Sequence, residues 1–580
     1  MNQKITLLIG HRGVGKTSLL KRLNSYCGKY KINADTVDLD SHIEQCENKK
    51  ISDIFAGSGE SVFRKLEKKF LKKIITNANK KTYIAIGAGF MGPYPDNAQI
   101  IFVKRESDKN GRTFLDRPRL NKELSAFDEY KDLYNKREQH YSGQAALTLV
   151  LQEGLKESNY YEELFFGFTG GSKVSGVYTL LSYEADNIDF YLNLGFEKIE
   201  VRTDYFDNEL LESIIKKIPD EKLLLSVRDD KQLIEKPHMD WPLELGEPNK
   251  KYFIISSHNK IDGVEKSTSN LEKYSDRCDI LKMAIPVNSF EELILGHRWY
   301  LKNPKKNCFL PISKDGRFSW YRLIQKNKIF PNFFKTTVEG SALDQPYFHD
   351  WVSHRFKNIK GFAAIMGLPV NHSWTPNEHQ CFFAEFNMPV VKINLSEDEL
   401  TKNNLNFLSS LGLKAAAVTS PLKNNVSNII NGENQNAVNT IVYTGTKWLT
   451  TNTDDHGFNK LAGHLKNKTN VVLWGGGGVI TSVKKVLPEV SSYSARSGEP
   501  RSGELAIEQP EVLIWATGRS RHENWPNEAW APKTIVDINY SEDSPGKEYA
   551  LMVGAEYVSG TDMFVAQAYK QQEFWREHLK

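Results

Sequence analysis

The stretch GHRGVGKT at residues 10–17 sets Gly10, Gly13 and Gly15 ahead of Lys16 and Thr17. That is the G-x-x-x-x-G-K-T spacing of a loop that wraps nucleotide phosphates. Glycines let backbone N–H groups turn toward the phosphates, the lysine reaches the β and γ oxygens, and the threonine hydroxyl ligates magnesium. ATP with Mg2+ is therefore the expected ligand. A second glycine run lies in VVLWGGGGVI, where Gly475, Gly477 and Gly478 fit G-x-G-G, a variant of the turn that admits a dinucleotide pyrophosphate. About 20 residues on, the next strand-like run ends in Ser-Ala-Arg-Ser. It has no acid to take ribose hydroxyls, and Arg496 suits a 2′-phosphate, so NADPH/NADP is expected. A third signal is Lys282, inside the apolar run DILKMAIP. Burial disfavours an ammonium ion, which prepares an amine for imine formation.

These residues need strands and turns to hold them. Lys4 to Ile9 reads as a buried strand and Thr17 to Leu23 as a helix, the context a phosphate loop requires. In the middle of the chain FEKIEVRTD, KLLLSVRDD, YFIISSHNK and DILKMAIPV read as buried strands with polar ends. That rhythm predicts a parallel α/β barrel, whose chemistry sits at the strand C-termini. The polar ends are Glu200, Arg202 and Asp204, then Arg228, His258 and Lys282. Val471 to Trp474 reads as the strand before the second glycine turn.

In order, the first 150 residues carry D-x-D at Asp38 and Asp40, then GESVFRKLE with Arg64, then GAG at Gly87–Gly89, then RPRL with Arg117, and a late Arg137. Together with the loop they resemble shikimate kinase. The resemblance implies that Thr17 and Asp38 hold magnesium and that Asp40 orients the acceptor hydroxyl. Arg64 and Arg137 clamp its carboxylate, Gly87 and Gly89 line its site, and Arg117 in the lid stabilises the transferring phosphoryl group. Ala88 departs from the family's three glycines, and RPRL from its R-P-L-L.

The order E-x-R-x-D, S-x-H, strand lysine, then GSALDQP resembles type I 3-dehydroquinate dehydratase. By that resemblance Lys282 forms the Schiff base, His258 moves the protons, Glu200 orients His258, and Arg202, Arg228, Ser341 and Gln345 contact substrate. The family's carboxylate-binding arginine is displaced here, with Arg322 as the substitute. Its E-G-G is absent.

GLPVNHSWTPNEH, VTSPLKNN, NAVNT, TNTDDHGF and GTDMFVAQAY resemble shikimate dehydrogenase. Ser373 and Thr375 stand where the family binds the substrate carboxylate. Lys423 and Asp454 stand where it handles the proton, and Asn439 and Gln567 where it contacts substrate. The order of the three modules resembles the C-terminal part of the arom polypeptide. The expected fold is α/β and multidomain. Residues 1–155 form a P-loop kinase domain, 160–350 a (β/α)8-type barrel, 358–462 a substrate domain and 463–545 a Rossmann-like NADP domain. Residues 546–580 form C-terminal helices returning to the substrate domain.

The implied function is conversion of 3-dehydroquinate to 3-dehydroshikimate, then shikimate, then shikimate 3-phosphate. Two alternatives stay open: a kinase/dehydrogenase with a degenerate dehydratase barrel, and an arom-like metabolite sensor. The 76 basic and 72 acidic residues give a net charge of +4, no footprint for nucleic acid. No apolar run approaches the ~18 residues that span a bilayer. The five scattered cysteines and the lack of a signal-peptide pattern suit a cytoplasmic enzyme acting on small molecules. A homo-oligomer is compatible with the sequence.

Overall fold

A computed structural model describes residues 5–114, 121, 123–151, 153–154, 174–229, 235–337, 340–352, 359–432, 437–465, 468–476, 479–518 and 525–579. Four separate sheets follow one another along the chain.

The first sheet is parallel, with β1 (Ile5–Ile9), β2 (Ala34–Asp38), β3 (Lys81–Ala85), β4 (Ala98–Arg105) and β5 (Leu147–Leu151) in the order β2-β3-β1-β4-β5. Every residue of β1 is buried, as expected for a central strand covered on both faces. The chain leaves it through Gly10, Gly13 and Gly15, all at positive φ, and enters the helix Lys16–Lys29. That helix turns Leu19, Leu20, Leu23 and Cys27 inward at helical spacing. The loop is thereby fixed between a buried strand end and a helix N-terminus.

The second sheet has eight parallel strands: β6 (Val174–Thr179), β7 (Phe196–Arg202), β8 (Leu223–Ser226), β9 (Met239–Pro242), β10 (Tyr252–Ser257), β11 (Cys278–Met283), β12 (Asn307–Phe309) and β13 (Phe333–Phe334). Neighbours follow in chain order, and β13 returns to pair with β6. This is the strand order of a barrel, but the expectation of a complete (β/α)8 barrel needs correction on two counts. Among the described residues no backbone ladder joins β12 to β13, and no α-helix lies between β8 and β9 or between β9 and β10. The seam strands are three and two residues long, too short for much of a ladder. A side chain bridges the gap instead, with the Cys308 thiol donating to the Pro331 carbonyl at 3.2 Å.

The third sheet orders β14 (Phe362–Gly367), β15 (Val390–Asn394), β16 (Leu413–Val418), β17 (Thr440–Tyr443) and β18 (Trp448–Thr451) as β15-β14-β16-β17-β18. Its last two strands run antiparallel. The fourth is parallel, with β19 (Val471–Gly475), β20 (Ser491–Tyr493), β21 (Val512–Ala516), β22 (Thr534–Asp537) and β23 (Glu556–Val558) in the order β20-β19-β21-β22-β23. It continues past the expected boundary at 545, because the helix Pro545–Val553 and β23 complete it. Only the helix Thr561–His578 returns to the third sheet, where the Trp575 indole donates to the Ile441 carbonyl at 3.0 Å. Among the described residues no helix is long and apolar enough to cross a membrane.

Candidate functional sites

Three clusters of polar side chains sit at strand ends, one on each of the first three sheets.

In the first domain the Lys16 ammonium donates to the carbonyls of Gly10 (2.7 Å) and His11 (2.9 Å), folded over its own loop. The Thr17 hydroxyl donates to Asp38 Oδ2 at 2.7 Å, and Asp38 Oδ1 caps the next helix through the Ser41 N–H. A hydroxyl and a carboxylate beside a phosphate loop suit Mg2+, which keeps most of its waters and takes few protein ligands. Among the described residues no cluster of three or more His, Cys, Asp or Glu offers a dedicated metal cage. Asp40 follows on the same helix. Burial, then the negative charge of Asp38, pushes its carboxyl above the ordinary range. Its buried Oδ1 has no hydrogen-bond partner, a polar atom left for an incoming hydroxyl.

Around it stands the turn at Gly87–Gly89. A Cβ on Gly87 would lie 2.7 Å from Asp40 Oδ1, and one on Gly89 would lie 1.9 Å from Arg64 Nη2. Arg137 donates to the Ala88 carbonyl at 2.8 Å. Two guanidinium groups and a carboxylate therefore converge on one turn, the requirement for gripping a hydroxy acid. Sequence reasoning assigned no role to Glu67. This wholly buried acid accepts from Arg64 Nη1 at 2.7 Å, and burial above all raises its carboxyl to about 7. Nor was a role given to His11, whose Nε2 lies 2.7 Å from Glu138 Oε2 while Lys104 holds the other oxygen at 2.5 Å. That trio ties the loop to the helix Ala126–Gln144, which carries Arg137. Arg117 lies outside the described residues.

In the eight-stranded sheet Lys282 is buried on β11 and ion-paired with Asp240 on β9. Asp240 also accepts from Arg228 Nη2 at 2.9 Å, and despite its burial the two cations hold it far below the ordinary carboxylate range. Its identity was missed. The signal was an acid in the short strand MDWP, whose burial demands a cation. His258 Nε2 lies 3.1 Å from Ser256 Oγ. Burial, then the charges of Arg228 and Lys282, pushes its pKa well down, which favours a neutral imidazole.

Glu200 does not orient this histidine as expected. Its two oxygens accept from Ser226 and Thr179 hydroxyls, each at 2.6 Å, because β7 is flanked by β8 and β6, while His258 follows β10. Ser341 reaches Thr179 at 3.1 Å and is held by Gln345 at 2.8 Å. Arg202 turns to Asp204 at 2.7 Å and stacks on Tyr205. Arg322 is buried with an unpartnered Nε, and burial lowers its pKa to about 10. Arg317 is bound outside the sheet, to Glu399 at 2.5 Å.

The third cluster is the most closely bonded. Asp454 Oδ2 accepts from Lys423 Nζ at 2.7 Å, and Oδ1 accepts from Asn439 Nδ2 at 2.8 Å and from Gln567 Nε2. Three residues from three other segments meet on this one carboxylate. Gly457 admits the returning helix, since a Cβ there would lie 2.6 Å from Gln567 Cγ. Ser373 and Thr375 are buried side by side, with Ser373 Oγ accepting from the Thr375 N–H at 3.2 Å. On the fourth sheet Gly475 turns at φ +84°, and Gly477 and Gly478 lie outside the described residues. Arg496 is exposed. A second arginine, Arg501, comes within 3.5 Å of the Gly475 carbonyl. Both follow β20 and suit an anionic dinucleotide.

A family model described as shikimate kinase matches residues 12–165, and one described as the shikimate dehydrogenase substrate binding domain matches residues 365–441. A shikimate kinase of Macrococcus caseolyticus is 32% identical over 159 residues, 26% of this chain and 89% of that protein. One of Persephonella marina is 31% identical over 144 residues, 23% of this chain and 82% of its own. The structure of shikimate 5-dehydrogenase from Thermus thermophilus, solved with NADP(H) and shikimate, is 22% identical with a TM-score of 0.31, covering 37% of this chain and 94% of its own.

Proposed function

The chain belongs to the shikimate kinase family through its N-terminal domain and carries a shikimate dehydrogenase substrate-binding domain, and from that premise we propose a multifunctional enzyme that makes shikimate and phosphorylates it. The carrying observation is the unpartnered buried oxygen of Asp40, beside the turn where Arg64 and Arg137 converge. That pocket matches a hydroxy acid, the compound class the other domain releases.

Thr17 and Asp38 hold Mg2+, and Lys16 with the loop N–H groups holds the phosphates. Asp40 orients the acceptor hydroxyl, and the positioning of both partners supplies most of the rate. In the reductase Lys423 supplies a proton to the developing alkoxide, Asp454 holds Lys423, and Asn439 and Gln567 fix Asp454. Ser373 and Thr375 take the carboxylate. Gly475, Arg496 and Arg501 would hold the dinucleotide. When bound, ATP contributes the phosphoryl group and NADPH the hydride.

The finer reading adds dehydration of 3-dehydroquinate in the eight-stranded sheet. Its support is a buried lysine whose ammonium proton is held by Asp240, with a histidine kept neutral nearby. Lys282 must give up that proton before its amine attacks a ketone. A second reading has its own observation: among the described residues no α-helix lies on either side of β9 in the chain, and the sheet then serves as a spacer. Two assays on one polypeptide test the main reading: NADPH oxidation by 3-dehydroshikimate and ADP release with shikimate. Lys423→Met should abolish only the first and Lys16→Met only the second. Loss of both in either variant would oppose independent sites.

A further inference from the structure

Arg64 is already engaged by side chains of its own helix. Its Nε and Nη2 both donate to one oxygen of Glu60, at 3.1 and 2.7 Å, while Nη1 donates to Glu67 at 2.7 Å. The two acids differ in kind. The Glu67 side chain is wholly buried and forms part of the wall, whereas the Glu60 side chain is 56% exposed. With Nη1 on Glu67 and the guanidinium pressed against Gly89, the Nε–Nη2 edge is the one suited to a second carboxylate. Glu60 fills that edge with one oxygen where a bidentate acid would use two.

The helix carrying both residues, Ile51–Asn77, is broken just before Glu60. Gly59 sits there at φ +79°, ψ 165°, a conformation open in practice only to glycine. Glu60 therefore begins the second helical segment, with no helical turn bracing it from the N-terminal side. It can leave Arg64 without unwinding anything. A half-solvated ion pair of this type is weak, so a ligand carboxylate using both donors can displace it.

We infer that Glu60 is an internal stand-in for the acceptor's carboxylate: it holds Arg64 in place before the acceptor arrives, yields on binding, and so sets acceptor affinity. This rests on the reading of Arg64 as the carboxylate clamp. Equilibrium binding of shikimate to the full chain without nucleotide gives the test. Glu60→Gln should tighten binding about 2- to 5-fold, the range an exposed ion pair supplies. Glu60→Asp, one methylene shorter, should do so in part while keeping the charge. Neither should tighten binding of shikimate methyl ester, which has no anion to exchange for Glu60. Unchanged or weaker shikimate binding in Glu60→Gln, or equal tightening of the ester, overturns the inference while the clamp stands, provided Arg64→Met abolishes binding. Failure of the unaltered chain to bind shikimate overturns the acceptor assignment itself.

Discussion

Replacing Glu184 by Gln should stabilise the protein at alkaline pH and do little at acid pH. Glu184 is buried where the first domain meets the eight-stranded sheet. Its Oε1 faces the hydroxyls of Tyr178 at 2.6 Å and Tyr191 at 2.7 Å, and Oε2 accepts from the Leu181 N–H at 2.8 Å. Tyr191 also lies 2.9 Å from the Ala146 carbonyl, and Tyr178 lies 3.0 Å from Thr336 Oγ1. A phenol has one proton and a carbonyl can only accept. Tyr191 can serve Ala146 only if Glu184 supplies the proton for their own contact. Burial chiefly raises the Glu184 carboxyl from 4.5 to about 7, against the lowering pull of its hydrogen bonds.

The folded state therefore holds this proton more tightly than the unfolded chain. The stability it confers is complete below pH 4.5 and is lost as pH rises through 7. A shift of about 2.5 units corresponds to about 3 kcal/mol lost by pH 8, against about 1 kcal/mol at pH 5. Gln with its amide nitrogen toward the phenols satisfies every partner without a titrating proton. For the unfolding of a single domain of about 150–250 residues 1 kcal/mol moves Tm by about 2–4 °C. Thermal melts should show Glu184→Gln ahead by roughly 6–12 °C at pH 8, narrowing to a few degrees at pH 5. A gap independent of pH, or one favouring glutamate at pH 8, would refute the proton count.

Three further outcomes are expected. Asp454→Asn should lower kcat for 3-dehydroshikimate reduction by about 10²–10⁴ and leave shikimate-dependent ADP release intact; equal losses in both assays would point to misfolding. Asp40→Asn should cut kcat of phosphorylation while ATP still binds in calorimetry, and a loss confined to ATP affinity would contradict its place at the acceptor. Borohydride with 3-dehydroquinate should mark Lys282 in the unaltered chain and leave Lys282→Ala unmarked by mass spectrometry; an adduct on another lysine would move the chemistry elsewhere.

What the sequence made legible was local. Gly10, Gly15, Lys16 and Thr17 lie within eight positions, and loop, strand and helix follow from their spacing. Lys423, Asn439 and Gln567 are far apart in the chain, but each sits in a motif of its own, and folding brings all three onto the carboxylate of Asp454. Asp240 was not legible, because its meaning comes from Lys282 two strands away in the sheet. Glu184 was hidden for the same reason: its phenols come from two segments, and the carbonyl that Tyr191 serves belongs to another domain. Pairing Glu200 with His258 failed because strand neighbours, not chain order, decide which polar ends meet. The seam between β12 and β13, unladdered among the described residues, was not legible either, because strand patterning does not say which neighbours close a sheet.

The central claim is that one polypeptide reduces a ketone to shikimate and then phosphorylates that alcohol. Purified chain should be given 3-dehydroshikimate, NADPH and MgATP, and the products followed by mass spectrometry. Shikimate should appear and pass on to shikimate 3-phosphate, with the phosphate absent when Lys16→Met replaces the unaltered chain. Accumulation of shikimate with no phosphorylation, or persistence of the phosphate in that variant, would contradict the account.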